Sequence, residues 1–413
     1  MLQKVKFDPK QLDDYQLIVG DEVIAEIKAL AKPLEGARVV HVNATAFGGG
    51  VAEMLYTLAP LMNDVGIETE WQVIQGADEF YTVTKICHNG LQGMVVPFTD
   101  EMKDIWRRYN EMNAQYFEGD YDFVVIHDPQ PAAMLHYTEG KGGDHWAWRC
   151  HIDTSHPNPA YWDFFAPYIN AYEAGIFTME QYVGPGVSFE HLAIIPPRID
   201  PLSPKNVPIA MERARDIVKR FGIDVDRPLI TQVSRFDPWK DPLGVIDAYR
   251  IVKEQMPEVQ LALVGSMASD DPEGWSYLDK TIRHAGEDFN IHILHNFHGV
   301  GALEVDAFQT VSDVVIQKST REGFGLVVTE ALWKGVPVVG GNVGGIPLQI
   351  LDGETGFLVD TVEECAEKTL YLLQHPNERA QMGNAGREHV RQHFLSPHHL
   401  ADYLRLFNQM RGA

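Results

Sequence analysis

Short β-branched apolar runs alternate with helical patterns, stop at a proline-rich tract, and then start again. No other feature constrains the fold of this chain so strongly. Runs at 38–42 (RVVHV), 69–74, 123–127 (FVVIH) and 148–152 (WRCHI) read as strands, with an amphipathic helix over 51–62. Strand-like runs return at 229–233, 260–265, 292–294, 313–317 and 336–340, separated by helical segments over 242–254, 274–285, 304–310 and 325–334. This alternation is the pattern of βαβ units on a parallel sheet. Between the blocks, residues 192–204 contain Pro196, Pro197, Pro201 and Pro204, with Pro208 just beyond. Prolines at that density cannot sit inside helices or central strands, so the tract reads as a linker. The expected architecture is α/β, with two Rossmann-like doubly wound domains, 1–203 and 204–395, facing each other across a cleft. The segment 396–413 carries an isolated amphipathic helix over 397–410 that could cross back onto the first domain.

With 413 residues the chain can build a large core without disulfides or structural metals. Lys and Arg number 34 against 58 Asp and Glu, a formal charge of −24. That balance excludes a general nucleic-acid binder, which needs a broad basic footprint. It leaves room for a small anionic ligand held by a few local cations. Three cysteines (Cys87, Cys150, Cys365) suit a reducing compartment. The N-terminus lacks the apolar segment of a signal peptide, and no run approaches 18 apolar residues, so a cytoplasmic protein without a membrane partner is expected.

Ligands of open α/β sheets bind beyond the carboxyl ends of the strands, and the chemically loaded loops all follow predicted strands. The richest is 321–334, REGFGLVVTEALWK. Gly323 and Gly325 flank Phe324 and open a helix, where free N–H groups and the helix dipole favour an anion. Glu322 precedes that helix and Glu330 lies about two turns further on. One carboxylate could reach sugar hydroxyls while the other reaches a different part of one long ligand. Two surface glutamates on an ordinary βα unit would leave the same spacing. The second loop, 234–242 (SRFDPWKDP), carries Arg235 and Lys240. In so acidic a chain, two cations at a strand end suggest a phosphate pair, although solvated loop cations would look alike.

The glycines Gly48, Gly49 and Gly50 follow the first strand but do not match the dinucleotide fingerprint. They allow close backbone approach to a ligand, or make a plain tight turn. Two polar clusters, 127–131 (HDPQP) and 149–153 (RCHID), end predicted strands with groups suited to hydroxyls; core histidines held by backbone are the alternative. His292, His295 and His298 are not read as metal ligands, because strand alternation sends the first two to opposite faces. Asp120 with Asp122 and Asp224 with Asp226 precede strands, at the wrong sheet end for a site. No metal is expected.

The arrangement of Arg235, Lys240 and Glu322-x7-Glu330 resembles the retaining nucleotide-sugar glycosyltransferases of the GT-B fold. More narrowly, HVNATAFGGGVAE, HDPQP, WRCHID, RFDPWKDP, SMASDDPEGW and REGFGLVVTEALWKG resemble the trehalose glycosyltransferring synthase family over nearly the whole chain. The resemblance implies a nucleotide-sugar domain in the second block and an acceptor domain in the first. It implies transfer of glucose from a nucleoside diphosphate glucose to glucose, giving α,α-trehalose reversibly, with retention and without a cofactor. The donor could be ADP-, UDP- or GDP-glucose. Arg235 and Lys240 would hold the diphosphate, Glu322 the donor-sugar hydroxyls, and Glu330 the ribose. Gly323, Phe324, Gly325 and Leu326 would offer backbone N–H groups, with Gly49 and Gly50 near the phosphates. His151 would sit beside the donor sugar, and Asp128, Gln130 and Asp153 would contact the acceptor. Partners are small molecules, and a homodimer is an assembly the chain could form. A retaining trehalose phosphorylase, or a glucosyltransferase with another sugar acceptor, remains open, as does a non-catalytic sugar-nucleotide sensor. One departure stands out: Asp241 follows the phosphate lysine where many members of the broad family have glycine.

Overall fold

The computed structural model describes residues 1–47, 49–267 and 272–412. The chain divides into two compact units: Met1–Arg198 with Ser396–Ala413, and Ile199–Leu395. Residues 199–203, assigned by sequence to the first domain, therefore lie in the second.

The first unit holds strands β1 (Gln3–Lys4), β2 (Arg38–Asn43), β3 (Glu68–Val73), β4 (Tyr121–His127), β5 (Gly143–Arg149), β6 (Ala174–Phe177) and β7 (His191–Ile194). Their order is β1-β3-β2-β4-β5-β6-β7. Only β1 runs antiparallel. The second unit holds β8 (Leu229–Val233), β9 (Gln260–Gly265), β10 (Ile291–His295), β11 (Val314–Gln317), β12 (Val338–Gly341) and β13 (Gly356–Val359). They form an all-parallel sheet of order β10-β9-β8-β11-β12-β13. Both sheets are doubly wound. The order reverses between β2 and β4 in the first and between β8 and β11 in the second, which is where such sheets bind ligands.

Two expectations are corrected here. The run 148–152 is not all strand, because β5 ends at Arg149 and Cys150, His151 and Ile152 lie on the loop beyond it. The linker starts later than residue 192, because residues 192–194 belong to β7.

The two faces of the first sheet differ chemically. In-register neighbours of a parallel sheet share a face, and alternate residues lie on opposite faces. Val40, Val42, Val124, Ile126, Trp146 and Trp148 pack with Trp106, Tyr161 and Phe165 into one apolar core. His41 pairs with Val125, and His127 with Arg149, so these polar residues lie on the other face with Phe123. The C-terminal helix, Ser396–Met410, covers that face. Phe407 stacks on Phe123 with centroids 4.5 Å apart, and Tyr403 meets His41 edge-on at 5.8 Å. Arg198 Nη1 donates to Asp402 Oδ2 at 2.5 Å, and Arg405 bonds to Glu26, tying the helix to the unit from both sides. The last helix thus belongs to the first unit, as the sequence suggested. No helix among the described residues is long and apolar enough to cross a membrane.

Candidate active site

At the switch point of the second sheet, contacts between the loops after β8 and β11 tie the two together. Thr320 N donates to Trp239 O at 2.8 Å. Lys240 Nζ meets Glu322 Oε2 at 2.5 Å, and Lys318 Nζ meets Asp241 Oδ2 at 2.5 Å. The Glu322 carboxylate also accepts from Gln317 Nε2 at 3.3 Å and Ser319 Oγ at 3.2 Å. A lysine and a glutamate that the sequence spaces 82 residues apart are thus held as one nearly buried pair. Lys240 is positioned locally: the Asp237 carboxylate caps the turn Pro238–Lys240 by accepting from Trp239 N and Lys240 N. Gln232 Nε2 donates to Lys240 O at 2.7 Å. Arg235 follows β8 with its side chain 67% exposed, its Nη2 lying 3.2 Å from Asp237 Oδ2. It offers an open cation beside a fixed one.

Glu322 leads into the helix Leu326–Trp333, whose N-cap is Gly325 at φ 82°. That left-handed conformation favours glycine, and a Cβ there would come within 3.1 Å of Glu322 Cγ. The Phe324 ring is buried, 5.8 Å from that of Phe394, so only the Phe324 backbone is available to a ligand. Its carbonyl is held at 2.5 Å by Gln349 Nε2. Glu330 is placed otherwise than Glu322. Its side chain is 0% exposed, with Oε1 2.5 Å from Lys205 Nζ, and Gln309 Nε2 donates to Oε2 at 3.4 Å. Any ligand reaching Glu330 must displace or share Lys205, a partner that the motif does not contain.

The structure explains Asp241. Its backbone is left-handed at φ 47°, a conformation for which glycine is the usual residue. Its side chain caps the helix Pro242–Gln255 by accepting from Gly244 N at 3.0 Å and pairs with Lys318. The carboxylate beside Lys240 is therefore committed elsewhere.

In the first unit, the ends of β2, β4 and β5 gather a second polar cluster. Asp128 follows β4 at φ 65°, and its Oδ1 accepts from His151 N at 2.9 Å. Burial pushes the Asp128 carboxyl up to about 7. His151 Nε2 lies 2.9 Å from His127 Nδ1, and His127 Nε2 lies 3.0 Å from His41 Nδ1. Burial holds His127 and His151 well below the usual imidazole range and lowers His41 to about 3. Asp153 turns back on its own loop, its Oδ1 accepting from Ser155 N at 3.0 Å and Ser155 Oγ at 2.6 Å. The Gln130 backbone carbonyl accepts from Asn110, while its side-chain Oε1 is buried without a partner among the described residues. Gly49, at φ 81°, caps the helix Gly50–Asp64, and a Cβ there would meet nothing within 4 Å. Gly48 and residues 268–271 of SMASDDPEGW lie outside the described residues.

The sequence reading missed Gln317, Lys318, Ser319, Lys205 and His41. The first three stand as a polar run at the end of an apolar strand. His41 is the polar residue between buried valines in the run RVVHV. Both were visible signals.

Two family models match the chain: "Trehalose synthase, N-terminal domain" over residues 41–184 and "Glycosyl transferases group 1" over residues 214–389. A solved α,α-trehalose-phosphate synthase (UDP-forming) from Burkholderia xenovorans, in complex with glucose-6-phosphate, superposes with a TM-score of 0.72 at 14% identity. The match covers 90% of this chain and all of that one. Two doubly wound sheets, with the loaded loops at their strand ends, are those of a GT-B glycosyltransferase. At finer resolution, a trehalose synthase from Rubrobacter xylanophilus is 54% identical over the full length of both chains. A trehalose phosphorylase from Pleurotus sajor-caju is 26% identical over 92% of this chain and 59% of its own length. This chain belongs to the trehalose synthase family.

Proposed function

We propose that this protein is a retaining glucosyltransferase that makes α,α-trehalose from a nucleoside diphosphate glucose and free glucose, reversibly and without a metal ion. The observation that carries the donor side is the Lys240–Glu322 pair beside the helix start opened by Gly325. Lys240 and the exposed Arg235 neutralise the diphosphate. Glu322, already fixed by Gln317 and Ser319, accepts hydrogen bonds from donor-sugar hydroxyls when Lys240 turns to phosphate. Backbone N–H groups of residues 323–326 face the same anion, with Gly49 and Gly50 close to it. Glu330 takes the ribose by sharing it with Lys205. His151 lies beside the donor sugar, and Asp128, Gln130 and Asp153 meet the acceptor.

In the reaction, the bond from the anomeric carbon to the bridging phosphate oxygen breaks. The acceptor hydroxyl oxygen bonds to that carbon on the same face, and its proton passes to the departing phosphate. Charge develops on the leaving diphosphate, where Arg235, Lys240 once turned from Glu322, and a helix N-terminus stabilise it. That cation set supports a reaction that needs no metal.

The test is a product assay with ADP-, UDP- or GDP-glucose, each with free glucose and a chelator. Trehalose is expected from at least one donor. Nucleotide release without trehalose would discard glucose as the acceptor. Glucose 1-phosphate formed from trehalose and inorganic phosphate, with no transfer from any nucleotide donor, would replace the synthase by a phosphorylase.

A further inference from the structure

Behind His151 the structure builds something that the proposed chemistry does not use. Three imidazoles stand in a row: His151 Nε2 to His127 Nδ1 at 2.9 Å, then His127 Nε2 to His41 Nδ1 at 3.0 Å. His41 and His127 are fully buried. The row follows from the fold. His41 on β2 and His127 on β4 share the face covered by the C-terminal helix, and His151 lies two residues past the end of β5.

A neutral imidazole has one N–H and one lone pair. His127 uses both nitrogens, so it must donate through one and accept through the other. The row is therefore directional and has only two neutral proton arrangements. In both, His151 Nε2 is occupied and only Nδ1 remains. His151 Nδ1 and His41 Nε2, the two ends of the row, are buried atoms with no hydrogen-bond partner among the described residues. The ring of His151 is anchored twice, through Nε2 to His127 and through its backbone N–H to Asp128.

We propose that His127 is a positioning residue, anchored by His41, that fixes the ring plane and tautomer of His151 so that Nδ1 is the nitrogen offered to a donor-sugar hydroxyl. This rests on the reading above that His151 touches the donor sugar. His127 acts only through His151. It is the same device by which a histidine ligand or base is oriented through the nitrogen it does not use.

Two substitutions separate the two contacts. In His127→Asn, the amide replaces Nδ1 and can still bond to His151 but cannot reach His41. In His127→Gln, the amide reaches the place of Nε2 and can still bond to His41 but not to His151. Both keep a buried polar amide, so a merely structural role would affect them alike. The expected result is that His127→Gln loses tenfold or more in kcat, the usual scale for an orienting partner, while His127→Asn retains most of it. Equal kcat in the two variants would overturn the proposal. Should either variant fail to fold, 15N-histidine spectra of the wild-type protein decide, with His151 assigned by its absence from His151→Ala. One fixed neutral tautomer at pH 6.5 is expected, and an averaged or titrating signal would overturn the proposal. Full activity in His151→Ala would instead remove the reading of His151 on which the proposal rests.

Discussion

Acidification from pH 7 to pH 5 should destabilise the first unit, and the buried groups set the direction of the effect. His41, His127 and His399 are buried in one layer and kept neutral, chiefly by desolvation, helped at His127 and His399 by nearby Arg149 and, at His399, by Arg198. Their folded-state pKa values lie far below the ordinary 6.5. A depressed base contributes stability that is present above the unfolded pKa and lost as pH falls through it, because the unfolded chain takes the proton first. Each such histidine costs up to about 2 kcal/mol between pH 7 and pH 5 by this linkage, so the three cost up to about 6 kcal/mol, and His151, lowered in the same direction, adds to the loss. Asp128 works in the opposite direction. Its carboxyl, raised to about 7, binds a proton in the folded state before the unfolded chain does. It returns roughly 2 kcal/mol over the same interval. The net loss is on the order of 4 kcal/mol, a large share of a typical domain stability of about 5–15 kcal/mol. Urea unfolding at pH 7, 6 and 5, followed by the fluorescence of buried Trp71, Trp106 and Trp148, measures it. A loss below about 1 kcal/mol, or a gain, would refute the reasoning. His399→Leu should flatten the dependence by close to one proton.

Lys240→Ala should lower kcat by about a hundredfold or more, the scale of a lost electrostatic stabiliser. Urea midpoints should move little, because Gln317 and Ser319 still donate to Glu322; loss of stability in step with turnover would remove the catalytic role. Asp241→Asn should cost less than about 1 kcal/mol, since asparagine tolerates the left-handed backbone and can still cap Gly244 N. Asp241→Ala should cost clearly more, and transfer should persist in both, as urea melts and product assays would report. Glu330→Gln should raise the donor KM more than it lowers kcat, read from initial rates at varied donor. Asp128→Asn should gain on wild type by roughly 2.5 kcal/mol between pH 5 and pH 8, because the amide cannot ionise in a buried site; parallel stability curves would contradict that.

Much of the fold was legible because parallel strands buried on both faces write themselves as continuous apolar runs. RVVHV, FVVIH and LITQV all lie within observed strands. The strands at Ala174–Phe177, His191–Ile194 and Gly356–Val359 were passed over. Each is four residues long, too short for periodicity to tell from a loop, and His191–Ile194 alternates partly buried with exposed residues, the exposed ones being Leu192 and Ile194, so its composition misreports its burial. The reading of 148–152 ran past the strand end because Cys150 and Ile152 are buried loop residues that look like strand residues in a one-dimensional pattern.

The candidate site was legible as residue types on loops, but not as pairs. Lys240 and Glu322 were both picked out, yet nothing in their spacing announces that they bond to each other; that follows only once β8 and β11 lie side by side. Asp241 shows the converse. In sequence it is an acid directly after Lys240, with a charge that opposes the lysine's. In the fold its conformation is the one glycine would take, and its charge is spent on a helix N-terminus and on Lys318. The departure from the broad family's pattern therefore preserves the backbone requirement and adds a cap and an ion pair. An acid is tolerated next to Lys240 because local geometry points its carboxylate to Gly244 N and Lys318. Backbone conformation, rather than side-chain chemistry, is the property this position must conserve. That is why Asp241→Asn, which keeps left-handed tolerance and a cap for Gly244 N, should separate from Asp241→Ala, which keeps neither.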